Sequence, residues 1–199
     1  MLTQALSFLI ETLGGLFLIA VLLRFLLQWA RAPFHNPVSQ FVVALTDFAI
    51  KPLRRIVPGL IGLDLASLAL AWAVQTGMLA LLLALRGFPF ALAPVEAYAA
   101  LGLLAVVALL RLLIYVVLGV VFVQAILSWV NPRTPVAPVL NALANPFLRP
   151  LRRVIPPIGG VDLTPLGVLI VGQLLLMMPL AALERWVTGL LGASRMVSP

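Results

Sequence analysis

The sequence predicts an all-α, polytopic membrane protein: four transmembrane helices forming two parallel repeats of span, basic amphipathic loop and span, with a long or extended third helix. Three observations lead there. Of 199 residues 63% are apolar and only 10% charged, where soluble domains average about 45–50% and about 25%, and the mean hydropathy is +1.19. Four stretches reach the roughly 20 apolar residues that a spanning helix needs. Finally, residues 50–68 (IKPLRRIVPGLIGLDLASL) recur as residues 148–166 (LRPLRRVIPPIGGVDLTPL) at an offset of 98, and a fixed-period repeat marks a structural unit used twice.

The first span runs from about Ala5 to Trp29, without the basic start and small-residue cleavage site of a signal peptide, and reads as uncleaved. The loop from Arg31 to Gly62 carries Arg31, Lys51, Arg54 and Arg55. Within it Pro37 suits a helix start, and Val38, Phe41, Val42, Leu45 and Phe48 follow at helical spacing. Such a helix lies in the membrane interface; a shallow re-entrant hairpin, tolerated only if buried in protein, is the competing arrangement. The second span is Leu65 to Leu85, and a short 86–97 connector with Arg86 leads on. Repeat units of 1–90 and 91–199 follow.

The third span ends at Trp129 and begins between Val95 and Arg111. As one helix from Val95 it measures about 50 Å, against a hydrocarbon core of about 30 Å. It is either long and tilted, or residues 95–108 form a separate helix along the membrane surface; a fifth crossing would leave one span about 12 residues, too few. The second loop, Asn131 to Gly160, repeats the first with Arg133, Arg149, Arg152 and Arg153 and a weaker amphipathic pattern around Val139, Leu143 and Phe147. The fourth span is Leu163 to Leu183, followed by a tail with Arg185 and Arg195. Arg and Lys flank cytoplasmic span ends, so both basic loops are expected in the cytoplasm and both termini outside.

The strongest local signal is the repeated PLRR bend. Prolines at 52 and 58, and at 150 and 156, break helices and hold Lys51, Arg54, Arg55, Arg149, Arg152 and Arg153 in compact cationic patches. Near an anionic leaflet each is worth about 1 kcal/mol, an upper bound of about 6 kcal/mol together. They serve topology alone, or also contact anionic lipid or a protein partner. Asp64 and Asp162 open spans as helix caps, where a carboxylate accepts from free backbone N–H groups; an ion pair to an arginine of the same bend is compatible. Aligning Trp29 with Trp129 makes Glu11 equivalent to Arg111. Both lie near the outer interface, either snorkelling or paired across a pseudo-two-fold axis. Gln75 and Gln173 match midway along spans two and four and are expected as interhelical hydrogen-bonding glue. Arg24, whose counterpart is Gln124, is expected to snorkel to the cytoplasmic face.

The basic balance, 13 Lys and Arg against six acids, sits in short loops beside apolar runs, which speaks for topology and anionic lipid; no nucleic acid is expected. The absence of Cys excludes thiol chemistry and disulfides, and a lone His35 excludes a His-cluster metal site. No Walker A, G-x-S-x-G or H-E-x-x-H pattern occurs, so neither an enzyme nor a cofactor is expected.

The segments RFLLQWARAPFHNPVSQFVVALTDFAIKPLRRIVPGLIGLDLASL and ANPFLRPLRRVIPPIGGVDLTPL resemble the YggT (also YlmG) family. The resemblance implies a small bacterial inner-membrane protein without a settled activity. It links bacterial members to osmotic stress, potassium uptake or cell division, and chloroplast relatives to cytochrome b6 haem attachment and nucleoid distribution. This chain has no symmetric His or Cys pair for haem. The expected function is a non-enzymatic inner-membrane adaptor or assembly factor whose partners are anionic lipid and a membrane protein or a second copy. The alternative is an oligomeric component of potassium uptake or osmotic-stress response.

Overall fold

The structure is a computed structural model that describes residues 1–59, 63–155 and 162–196, with side chains to residue 191. Its elements are helical: α1 (Leu2–Trp29), α2 (Pro37–Leu53), α3 (Leu65–Leu85), α4 (Val95–Val130), α5 (Ala137–Arg152), α6 (Thr164–Leu175) and α7 (Ala181–Met196). Four candidate membrane spans lie among them: Leu2–Trp29, Leu65–Leu85, Val95–Val130 and Thr164–Leu191.

Local chemistry sets the ends of these helices. Asn36 caps α2, its side chain accepting from the Val38 N–H at 2.9 Å, and Pro37 fills the first position, where a missing N–H costs nothing. At the end of α3, Gly87 takes a positive φ of 79°. Its N–H reaches the Ala84 carbonyl at 2.9 Å, and the Phe88 N–H reaches Leu83 at 3.0 Å. This paired closure needs a residue without Cβ at the left-handed position. A 3₁₀ turn, Phe90–Leu92, leads to α4.

The two repeats share one internal design. In the first, Val21 of α1, Ile50 of α2 and Ala66 and Ala71 of α3 form one buried cluster. In the second, Val121 of α4, Leu148 of α5 and Val168 of α6 do the same. Val21 and Val121, like Ile50 and Leu148, are repeat equivalents. The repeats join along a seam where Leu26 and Leu27 of α1 and Val42 of α2 meet Val116 of α4 and Val139 and Leu143 of α5. The amphipathic helices α2 and α5 therefore sit together at one end of the bundle. Asn36 also donates to the Pro135 carbonyl, tying the two loops.

α2 has two unlike faces. Ser39, Val42, Thr46 and Ile50 are buried against the bundle, whereas Val38, Phe41, Leu45 and Phe48 are exposed. Small and polar side chains let α2 approach the protein closely, and the bulky apolar stripe is left for a membrane interface.

Two expectations about length are resolved. The third span is one unbroken helix of 36 residues, about 54 Å long, with no separate surface helix. The fourth does not stop at Leu183. A π turn at Leu176–Leu180, containing Pro179, carries it into α7, since a proline lacks the N–H of the regular ladder and π turns absorb such a break. The extension has a partner: Val107 of α4 is buried with Leu176, Leu180 and Val187. The apolar first half of α4 is covered on one side by α3, where Trp72 Nε1 donates to the Gly102 carbonyl at 3.0 Å, and on another by α7.

Candidate functional site at the basic bends

Each PLRR bend is locked by its own ion pair. In the first, the Arg54 guanidinium donates to Asp64, Nη2 to Oδ2 at 2.6 Å and Nε to Oδ1 at 3.4 Å, and Nη2 also reaches the Gln28 side chain at 3.0 Å. Asp64 is the N-cap of α3, accepting from the Ser67 N–H at 3.4 Å and the Ser67 hydroxyl at 2.6 Å. In the second, Arg152 donates to Asp162 from Nε at 3.0 Å and Nη2 at 2.9 Å. Asp162 lies two residues before the start of α6 and accepts from the Thr164 N–H at 2.9 Å and hydroxyl at 2.6 Å. The motifs differ in burial: the Asp64 side chain is 2% exposed and that of Asp162 40%.

These contacts set the carboxyl acidities. Burial alone would raise Asp64, but hydrogen bonds from Arg54 and Ser67 outweigh it and hold the group below the ordinary aspartate value. At Asp162 burial likewise opposes the hydrogen bonds from Thr164 and Arg152, which win. Asp47 is held low by hydrogen bonds from Lys51 and Arg24.

The six basic bend residues thus divide into two groups. Lys51 pairs with Asp47 at 2.7 Å, and Arg54 and Arg152 pair as described. Arg55, Arg149 and Arg153 are exposed and have no ion-pair partner among the described residues. They are the cations free to meet an external anion.

The intramembrane polar residues are arranged differently from expectation. Arg24 does not snorkel: it is 5% exposed and turns sideways into α2. There Nη1 donates to Asp47 Oδ1 at 2.7 Å, Thr46 Oγ1 at 2.9 Å and the Val43 carbonyl at 3.3 Å. Desolvating a guanidinium is tolerated only when it is paired and hydrogen-bonded, and α2 supplies both. The second repeat makes the same brace without charge, Gln124 Nε2 donating to Asn141 Oδ1 at 3.1 Å. Arg111 does not pair with Glu11; it pairs with Glu184 of α7. Repeat equivalence places Glu11 and Arg111 at similar depth but not side by side, whereas α7 packs directly on α4. Gln75 is half-buried and Gln173 exposed, and neither side chain makes a hydrogen bond among the described residues. Among those residues no group of three His, Cys, Asp or Glu is placed to hold a metal.

Sequence reasoning missed the Arg24–Asp47–Lys51 network and Glu184 as a partner. Asp47 is the acid of the first basic loop before the bend, and an arginine inside an apolar span needs a counter-charge; together these were a readable signal. Glu184 lay beyond the expected end of its span.

No solved structure matches this chain. The YggT protein of Escherichia coli K12, itself uncharacterized, is 40% identical over 82% of both chains. An uncharacterized protein of Pseudomonas aeruginosa is 38% identical over 83% of each, and one from the proC 3′ region of Vibrio alginolyticus is 41% identical over 85% of this chain and 89% of its own. A family model described as CCB3/YggT matches residues 3–85 and 103–183, one segment in each half of the duplicated architecture, and the chain belongs to that family.

Proposed function

We propose that this protein is a non-enzymatic adaptor or assembly factor of the bacterial inner membrane, whose two basic bends face the cytoplasm and hold anionic lipid headgroups or an acidic partner surface. One observation carries the reading: each bend is fixed internally by an Arg–Asp pair, while Arg55, Arg149 and Arg153 stay exposed and unpaired among the described residues. Rigid placement of free guanidinium groups favours bidentate binding of phosphate or carboxylate. Three free cations rather than six lower the leaflet attraction to about 3 kcal/mol.

The test is purification from native membranes of the wild type and of a triple Arg55→Gln, Arg149→Gln, Arg153→Gln variant, followed by mass spectrometry of bound lipid and protein. The triple variant is expected to fold normally and to lose anionic phospholipid or a partner protein. Equal recovery from both forms refutes the reading. Potassium flux through the reconstituted wild type would favour the ion-uptake alternative instead.

A further inference from the structure

The acids of this chain divide sharply. Asp47, Asp64, Asp162 and Glu184 each hold a cation, and Glu96 sits in the first turn of α4, where the helix dipole favours a negative charge. Among the described residues Glu11 has neither arrangement. It lies within a candidate span, toward the end far from the basic bends. It lines a cavity of about 430 Å³ between α1, α3, α4 and α7, together with Arg86, Thr188, Leu79, Leu83 and Leu104. Arg86 also has no ion pair among the described residues, so one cavity presents a carboxylate and a guanidinium that do not satisfy each other.

The third polar group narrows the ligand. The Thr188 hydroxyl donates to the backbone carbonyls of Glu184 at 2.8 Å and Arg185 at 3.0 Å. Its one proton is committed, and only lone pairs remain for a ligand. Among the described residues the cavity therefore offers two acceptors, Glu11 and Thr188, one forked donor, Arg86, and apolar walls. Glu11 is about 27 Å from Trp29 along α1, and Arg86 about 32 Å from Leu65 along α3. With a hydrocarbon core of about 30 Å, both stand at headgroup level in the leaflet opposite the basic bends.

We propose that this cavity binds a phospholipid whose headgroup carries a primary ammonium. The phosphodiester meets Arg86, the ammonium donates to Glu11 and Thr188, and an acyl chain lies along Leu79, Leu83 and Leu104. A choline headgroup has no N–H to donate, and a glycerol headgroup brings no cation to Glu11.

The experiment titrates the full-length chain carrying Arg55→Gln, Arg149→Gln and Arg153→Gln, so that the basic bends do not compete for anionic lipid, in detergent with phosphatidylethanolamine, phosphatidylcholine and phosphatidylglycerol of identical acyl chains, read by native mass spectrometry. Phosphatidylethanolamine is expected to bind about tenfold more tightly than the other two, the worth of one charge-assisted hydrogen-bonded contact. Glu11→Gln, isosteric at an exposed position, should erase that preference. Arg86→Gln should weaken phosphatidylethanolamine and phosphatidylcholine alike, and Glu96→Gln, an exposed acid that does not line the cavity, should change nothing at this site. Equal affinity for the three lipids, or a preference that survives Glu11→Gln, overturns the proposal. O-phosphoethanolamine competing as well as the lipid itself would also overturn it, by assigning the cavity to a free zwitterion.

Discussion

Asp64→Ala and Asp162→Ala remove the same atom set from the same motif, yet the structure expects unequal costs. At the first bend the carboxylate is almost fully buried. Its loss forfeits a charge-assisted hydrogen bond from Arg54, worth about 1.5–3 kcal/mol. It also removes the cap of α3 and leaves the buried Ser67 hydroxyl without its acceptor, adding about 1–2 kcal/mol. Arg54 is itself half-exposed and swings to water, so no stranded charge is added, and the total is about 2.5–5 kcal/mol. At the second bend both partners are about two-fifths exposed. Such pairs contribute about 0.2–1 kcal/mol after solvent screening, and, since the N-cap of α6 is Leu163 rather than the expected Asp162, only the bonds from the Thr164 N–H and hydroxyl are lost besides, adding about 1 kcal/mol. Asp162→Ala should therefore cost about 1–2 kcal/mol, roughly 2 kcal/mol less than Asp64→Ala. Reversible unfolding in mixed detergent micelles, followed by circular dichroism, measures the difference. Losses equal to within about 0.5 kcal/mol, or a larger loss at Asp162, would refute the argument that burial decides the worth of the motif.

The braces between first span and amphipathic helix give a transplant experiment. Arg24→Gln alone should destabilise by about 1.5–3 kcal/mol, and adding Val43→Asn, which copies the Gln124–Asn141 pair, should recover about 1 kcal/mol in the same unfolding assay; no recovery would show that the repeats are not equivalent there. Acid should weaken the fold as well. Asp47, Asp64 and Asp162 all have pKa values held below the ordinary aspartate value in the folded chain, so the unfolded chain takes up protons first as pH falls. Their stabilisation is fully present above about pH 4 and is lost as the pH drops through the folded values. Unfolding midpoints flat from pH 7 to about 5 and falling below about 4, with a shallower fall in Asp64→Asn, are the expected result.

Much of this architecture is legible because the bilayer restricts the choices. Length and apolarity alone mark the span from Leu65 to Leu85, and the repeat offset puts Asp64 and Asp162 at the starts of equivalent spans. The pairing of Arg54 with Asp64 is local, ten residues apart, and so within reach of motif reasoning. What escapes is contact between distant elements. The partner of Arg111 depends on how far α7 climbs beside α4, and Pro179 reads as a stop signal unless a π turn carries the helix through it. The direction of Arg24 depends on which face of α2 turns inward. The apolar stripe of Phe41, Leu45 and Phe48 is legible as an outward face and is exposed, whereas Val42, which shares its helical spacing, turns inward against the bundle.

The same comparison explains why the duplicated halves are not copies in energetic terms. The first repeat draws on buried polar chemistry: Arg24 with Asp47, and Asp64 with Arg54 and Ser67. The second replaces the charged brace by an amide pair and leaves its bend carboxylate half-exposed. It gains instead a long helical partnership, α4 against α7, closed by Arg111 and Glu184. The 36-residue third span and the extended fourth pack on each other through Val107, Leu176, Leu180 and Val187, an apolar contact that the first repeat's shorter second span does not make. Shortening α7 should therefore harm the second repeat far more than the first, since its substitute for the buried ion pair would be removed while the first repeat kept its own.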